Sequence, residues 1–151
     1  MPTGKLATDG DPLVGFNFAL EISGNIVGHF TTVSGLGSET TVTEHKIMVD
    51  GHEVIRKIPG RLTWGDIELG RGVTSNMDLW GWRKQVTDGD VVGARTNGSI
   101  IMYDQEGGEV VRFNFENGWP SNLSSGDLGA ETEDVVIETL TIVHEYIERV
   151  S

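Results

Sequence analysis

The chain contains no cysteine. Disulfides, thiolate nucleophiles and Cys-ligated zinc are therefore excluded. Cations are the next scarcity: 11 Lys and Arg stand against 23 Asp and Glu, a formal net charge of −12. Gripping nucleic acid through its phosphates would work against that field, so sequence-specific nucleic-acid binding is not expected. The same excess suits a surface along which an anionic polymer passes without sticking, or one that is merely well solvated. Long apolar runs are missing too. The run IIMY at residues 100–103 falls far short of the ~20 residues that cross a bilayer, so no membrane anchor is expected. The polar start MPTGKLATDGDP has no apolar stretch behind it, no signal peptide is visible, and the expected place of synthesis is the cytoplasm. At 151 residues the chain suits a single domain over 1–151, with no repeat or linker to divide it.

What is present is period-2 alternation. Phe16, Phe18, Leu20 and Ile22 share one face, and a turn at Gly24-Asn25 leads to residues 26–30, a first hairpin. Residues 99–104 and 109–115 flank Gln105-Glu-Gly-Gly108 as a second, with Val111, Phe113 and Phe115 alternating against Arg112 and Asn114. Residues 120–133 read as a Gly/Ser/acid loop, and residues 135–150 as one long strand. Residues 41–58 form a third hairpin turning at Asp50-Gly51, a favoured two-residue pair. Its arms carry Glu44, His45, Lys46, His52, Glu53, Arg56 and Lys57, so charge falls on both faces. Two readings stay open: a projecting hairpin completed by a partner, or an edge hairpin that its charges protect from aggregation. One helix is expected, capped by Thr74 or Ser75, with Asp78 in its first turn and Asp88-Gly89 at its end. Leu79, Trp82 and Val86 lie at helical spacing. Trp80 lies well round from Trp82, so one of the two tryptophans needs a second surface.

Catalytic signals are weak. Gly70-x-Gly72-x-x-Ser75 and Gly35-x-Gly37-x-x-Thr40 both lack the third glycine of a dinucleotide fingerprint, and neither sits in a βαβ unit. The glycines are read instead as positive-φ residues at turns. His29, His45, His52 and His144 are spread over separate strands. His45 and His52 could face each other across Asp50-Gly51, but no third ligand is placed. Asp88 with Asp90, and Glu131 with Glu133 and Asp134, read as solvated loop acids without the calcium-loop pattern. No Gly-x-Ser-x-Gly elbow presents a serine. No catalytic residue, metal site or cofactor is expected, and the chain is not read as an enzyme.

One block carries a resemblance. Pro59-Gly60, Leu62-Thr-Trp64, Ile67-Glu-Leu69, Arg71-Gly72-Val-Thr74, then Leu79-Trp80 and Trp82 resemble the tail tube protein family of contractile phages, which also supplies the inner tube of extracellular contractile injection systems. The opening DPLVGFNFALEI at residues 11–22, with Phe30, Val33 and Ser34-Gly35-Leu36-Gly37 after it, is similar to the family's first strands. The resemblance implies a mainly β fold, a small β-barrel or sandwich with one flanking α-helix, in which Gly60, Trp64, Arg71, Gly72, Thr74 and Trp82 are structural. It implies a subunit that closes six-fold rings, stacks them into a tube inside a contractile sheath, and conducts effector protein or DNA. The implied partners are further copies of the chain, the sheath protein, a baseplate or spike adaptor, a cap protein and cargo in the lumen. Lys46, Asp50, Gly51, His52, Arg56 and Lys57 on the hairpin, and Trp80 on the helix, are the expected assembly contacts. Two rivals remain: a cap or spike-adaptor paralogue of the same fold, and a monomeric β-sandwich that binds a ligand on Trp64, Trp80 or Trp119.

Overall fold

Alternating sequence gives ten strands among the residues described by the computed structural model, which are 17–72, 77–126 and 137–151. In chain order they are β1 (Asn17–Ile22), β2 (Asn25–Phe30), β3 (Thr32–Ser34), β4 (Ser38–Val49), β5 (His52–Trp64) and β6 (Ile67–Gly72). Helices α1 (Asp78–Thr87) and α2 (Val91–Ala94) follow, then β7 (Thr96–Tyr103), β8 (Glu109–Ser125), β9 (Ile137–Val143) and β10 (Tyr146–Arg149). Phe16, Thr74, Ser75, Glu131, Glu133, Asp134 and the opening motif before Asn17 lie outside the described residues.

The main sheet runs β2-β1-β7-β8-β9-β6-β3, with β10 also on β8. Strand β8 is the pivot. Its first half pairs with β7 and β10, and its second half, from Trp119 on, pairs with β9. The sheet thus folds over on itself. Leu20, Ile100, Phe115 and Ile147 from one layer meet Ile67, Leu69, Leu140 and Ile142 from the other, and Leu79 of α1 joins the same core. The architecture is mainly β, as expected, but the sheet is not closed into a barrel. Its end strands β2 and β3 are consecutive in the chain, and at the corner between them the Thr31 amide donates to the Gly70 carbonyl at 2.8 Å.

Several local expectations change. Residues 120–125 are strand rather than loop. A bulge between Pro120 and Asn122 shifts the register there, so Pro120 and Leu123 both turn inward and the alternation is lost. The long strand expected over 135–150 breaks at His144 and Glu145, where the chain leaves β9 for β10 in the other layer. The first turn sits at Ser23-Gly24, one residue earlier than read, with φ of 53° and 81°. Helix α1 begins only at Asp78, so Met77 and not Thr74 or Ser75 is its N-cap, and no side chain caps it. Its end falls at Asp88-Gly89 as expected, with Gly89 at φ 97°. A second short helix follows, capped by Asp90, whose Oδ1 accepts from the Gly93 amide at 3.0 Å. Gln85 and that amide hold the Asp90 carboxyl below its usual range. Asp88 is paired with Lys84 at 2.7 Å. Both acids therefore have local structural roles at helix ends.

The glycine reading divides. Gly35 has φ 81°, and a side chain there would run into the Asp66 carbonyl. Gly70 lies inside β6, paired with Thr32 and Thr139, with Thr32 Oγ1 over its Cα. It is a close-packing position and not a turn, because the β3 threonine occupies the space a side chain would need.

Candidate functional site

Strands β4 and β5 form a two-stranded sheet of their own, joined to the main sheet by no strand pairing among the described residues. At 12 and 13 residues they make an arm about 40 Å long at ~3.3 Å per residue. Its tip is the expected turn, with Asp50 at φ 49° and Gly51 at φ 78°, the primed geometry that matches strand twist. The arm is longer than its sequence reading, since pairing continues down to Ser38 opposite Trp64. Along it every described position is exposed except Ile47 and Trp64. That includes apolar residues such as Met48 at 69% and Val42 at 60%.

The register assigns the faces. Thr43, His45, Ile47 and Val49 pair with Ile58, Arg56, Val54 and His52, so these share one side. Val42, Glu44, Lys46 and Met48 pair with Pro59, Lys57, Ile55 and Glu53 on the other. His45 and His52 thus do not face each other across the turn; each opposes a different residue. Lys46 reaches Glu53 diagonally at 3.5 Å, and Lys57 stands opposite Glu44. Arg56 has only His45 across from it. Gly60 lies in a bulge nearer the arm's root than its tip, where the Arg61 amide donates to Thr41 Oγ1 at 2.7 Å.

The arm's root is held by aromatic packing. Trp64 meets Tyr146 edge-on with centroids 5.3 Å apart and lies 6.1 Å from His144. His144 Nε2 is 3.0 Å from the Gly65 carbonyl, so β10 and its approach brace the arm where it leaves the body. A cleft of about 560 Å³ opens beside this root, lined by Gly35, Leu36, Ser38, Glu39, Thr63 and Trp64.

The second candidate surface is on α1. Trp82 turns inward and donates its indole N–H to the Ala94 carbonyl at 2.8 Å. Trp80 turns outward, 36% exposed, and with Met77, Gly81, Arg83, Lys84 and Thr87 lines a cleft of about 440 Å³. Neither cleft is lined by a second of Trp64, Trp80 and Trp119, which stand on β5, α1 and β8. An aromatic ligand platform is not assembled by these three.

Arg71, from the sequence motif, is a core residue. Its Nη2 lies 3.4 Å from Glu138 Oε1, and its guanidinium lies over the Phe30 ring at 5.4 Å. Glu138 was not singled out by sequence, although it shares the inward parity of Leu140 and Ile142. Gly72 ends β6. No group of three or more His, Cys, Asp or Glu among the described residues is placed to hold a metal. No helix among them is long and apolar enough to cross a membrane.

The fold recurs in solved structures. The chain is similar to one in the sheath–tube complex of PVC, an extracellular contractile injection system, in its extended state: 20% identity, TM-score 0.78, covering 100% of this chain and 99% of that one. It is similar to a chain in the structure of the anti-feeding prophage cap, the AFP tube terminating cap (20% identity, TM-score 0.71, coverage 93% and 91%). It is also similar to Hcp1 from Flavobacterium johnsoniae (15% identity, TM-score 0.52, coverage 87% and 93%). No curated protein sequence matches. A family model described as T4-like virus tail tube protein gp19 matches residues 14–148, and the chain belongs to that family.

Proposed function

We propose that the chain is the bulk subunit of the inner tube of a contractile particle. Six copies close a ring, rings stack inside a sheath, and cargo passes along the lumen. The observation that carries this reading is the arm: 25 strand residues with no third strand among the described residues and both faces largely exposed. A two-stranded ribbon is marginal in water by itself, and an exposed sheet edge invites another chain. Copies of the same chain supply the missing cover without a second gene product. A contact from arm to adjacent ring is heterologous, so it propagates as a stack rather than closing.

The test is sedimentation velocity of the purified protein over a wide concentration range, with electron microscopy of the product. Hollow rings and filaments support the proposal. A persistent monomer removes it, and rings that never stack favour a cap or adaptor role.

The two helix tryptophans give a second test. Trp82→Ala removes packing and a part-buried indole hydrogen bond, and is expected to cost about 2–4 kcal/mol. At this chain length that lowers the melting temperature by roughly 5–15 °C. Trp80→Ala should leave melting within about 2 °C of the parent, as surface substitutions do. It should instead weaken assembly. Equal thermal losses in the two variants would remove the interface role of Trp80.

A further inference from the structure

The arm's two faces differ in charge, and the difference names the docking side. Residues 38–64 hold four Lys and Arg (Lys46, Arg56, Lys57, Arg61) and four acids (Glu39, Glu44, Asp50, Glu53). The remaining chain therefore has seven cations against nineteen acids and holds the entire −12. Two copies that meet body to body bring like charge together, whereas a neutral arm approaches a neighbour's body without that repulsion.

Between Val42 and Pro59, the side with Glu44, Lys46, Glu53 and Lys57 is balanced within itself, with Lys46 in contact with Glu53 at 3.5 Å. The opposite side holds no acid. There Arg56 has Val54 and Ile58 beside it on β5, Ile47 and Thr43 diagonal to it and His45 across from it, and it makes no ion pair with any described residue. We propose that this acid-free face is the one that docks, and that it seats on a carboxylate-bearing surface of a second copy, with Arg56 as the charged anchor. The inference rests on the reading of the chain as a self-assembling tube subunit and adds which face binds and the chemistry it meets. A cation ringed by apolar side chains is the arrangement that gains most from a carboxylate partner as water is excluded, because nothing on its own strand pair competes for it.

The experiment compares substitutions of equal charge on the two faces. Arg56→Glu and Lys57→Glu change net charge identically, and neither touches the core. Sedimentation velocity gives the protein concentration at half-assembly for each. Arg56→Glu should raise that concentration at least about thirty-fold, as a like-charge contact at an interface does. Arg56→Gln should raise it about five-fold through loss of the ion pair alone. Lys57→Glu, the same charge change on the second face, should raise it no more than about three-fold, and the swap Lys57→Glu with Glu44→Lys, which restores that face's balance, should stay within about two-fold of the parent. Unimpaired assembly of Arg56→Glu, or a Lys57→Glu or swap variant as impaired as Arg56→Glu, overturns the assignment while the tube reading stands. A parent chain that does not assemble at any concentration overturns both.

Discussion

Excising the outer arm, with Asn-Gly in place of residues 44–57, is expected to leave the body's melting temperature within about 2 °C and to abolish stacking of rings. The cut falls at a hydrogen-bonded rung, Thr43 opposite Ile58, which keeps the free amide that Pro59 lacks, so a two-residue primed turn closes it as Asp50-Gly51 closes the native tip. Body stability should hold because none of the removed residues belongs to the core cluster. Assembly should fail because the excised segment holds Arg56 and, on the docking face, exposed Val49 and Val54 with half-buried Ile47. Full burial of one such side chain is worth about 1.5–3 kcal/mol. These are partly covered already, so the three apolar side chains represent about 2–4 kcal/mol per arm, before the costs of ordering and association. Losing even half of that changes an association constant by a factor on the order of ten, and loss of the Arg56 ion pair adds to it. Electron microscopy decides the matter: filaments of normal appearance from the shortened chain would sink the role given to the arm.

How much of this was legible in the sequence depends on where period-2 order survives. The arm was readable because Asp50-Gly51 is a strong turn pair and the flanking charges leave neither face able to enter a core. What could not be read was the choice between projection and a protected edge, since both produce the same alternation of charge. Residues 120–125 were misread because the bulge after Pro120 puts two inward residues, Pro120 and Leu123, three apart, and a Ser/Asn-rich outer face resembles a loop by composition. The break at His144 and Glu145 was hidden because β-branched residues continue on either side of it. It is fixed by tertiary bonds: His144 against Gly65, and the Glu145 amide donating to the Glu116 carbonyl at 3.0 Å. Trp80 and Trp82 were separated correctly, because helical geometry alone turns positions two apart to different sides. Glu138 was legible in principle. Within a strand whose inward positions are apolar, a lone acid of the same parity needs a buried partner, and Arg71 was the cation already marked by the motif.

Glu138→Ala is therefore expected to be the most destabilising single polar substitution in the body. The Arg71 and Glu138 side chains are 5% and 2% exposed, and each is the other's ion-pair partner. Truncating the acid leaves a guanidinium buried without its counter-charge, which typically costs about 3–5 kcal/mol. For a chain of this length that is a fall of roughly 10–15 °C in melting temperature. The Phe30 ring under the guanidinium offsets only part of this, since cation–π contacts contribute about 1–2 kcal/mol. Arg71 Nε already lacks a hydrogen-bond partner, so the site has no spare polar group to take over. Replacing both ends, as Arg71→Met with Glu138→Leu, should return stability to within about 1–2 kcal/mol of the parent, because desolvation disappears together with the attraction. What the apolar pair would not restore is register. Arg71 sits directly opposite Glu138 in the β6–β9 ladder, and a slip of one residue would turn one of the two outward, leaving the other unpaired in the core. The double variant should accordingly melt near the parent temperature but over a broader transition. A Glu138→Ala variant that loses less than about 1 kcal/mol in urea would show that the pair is hydrated in solution and contributes little to holding the two strands in place.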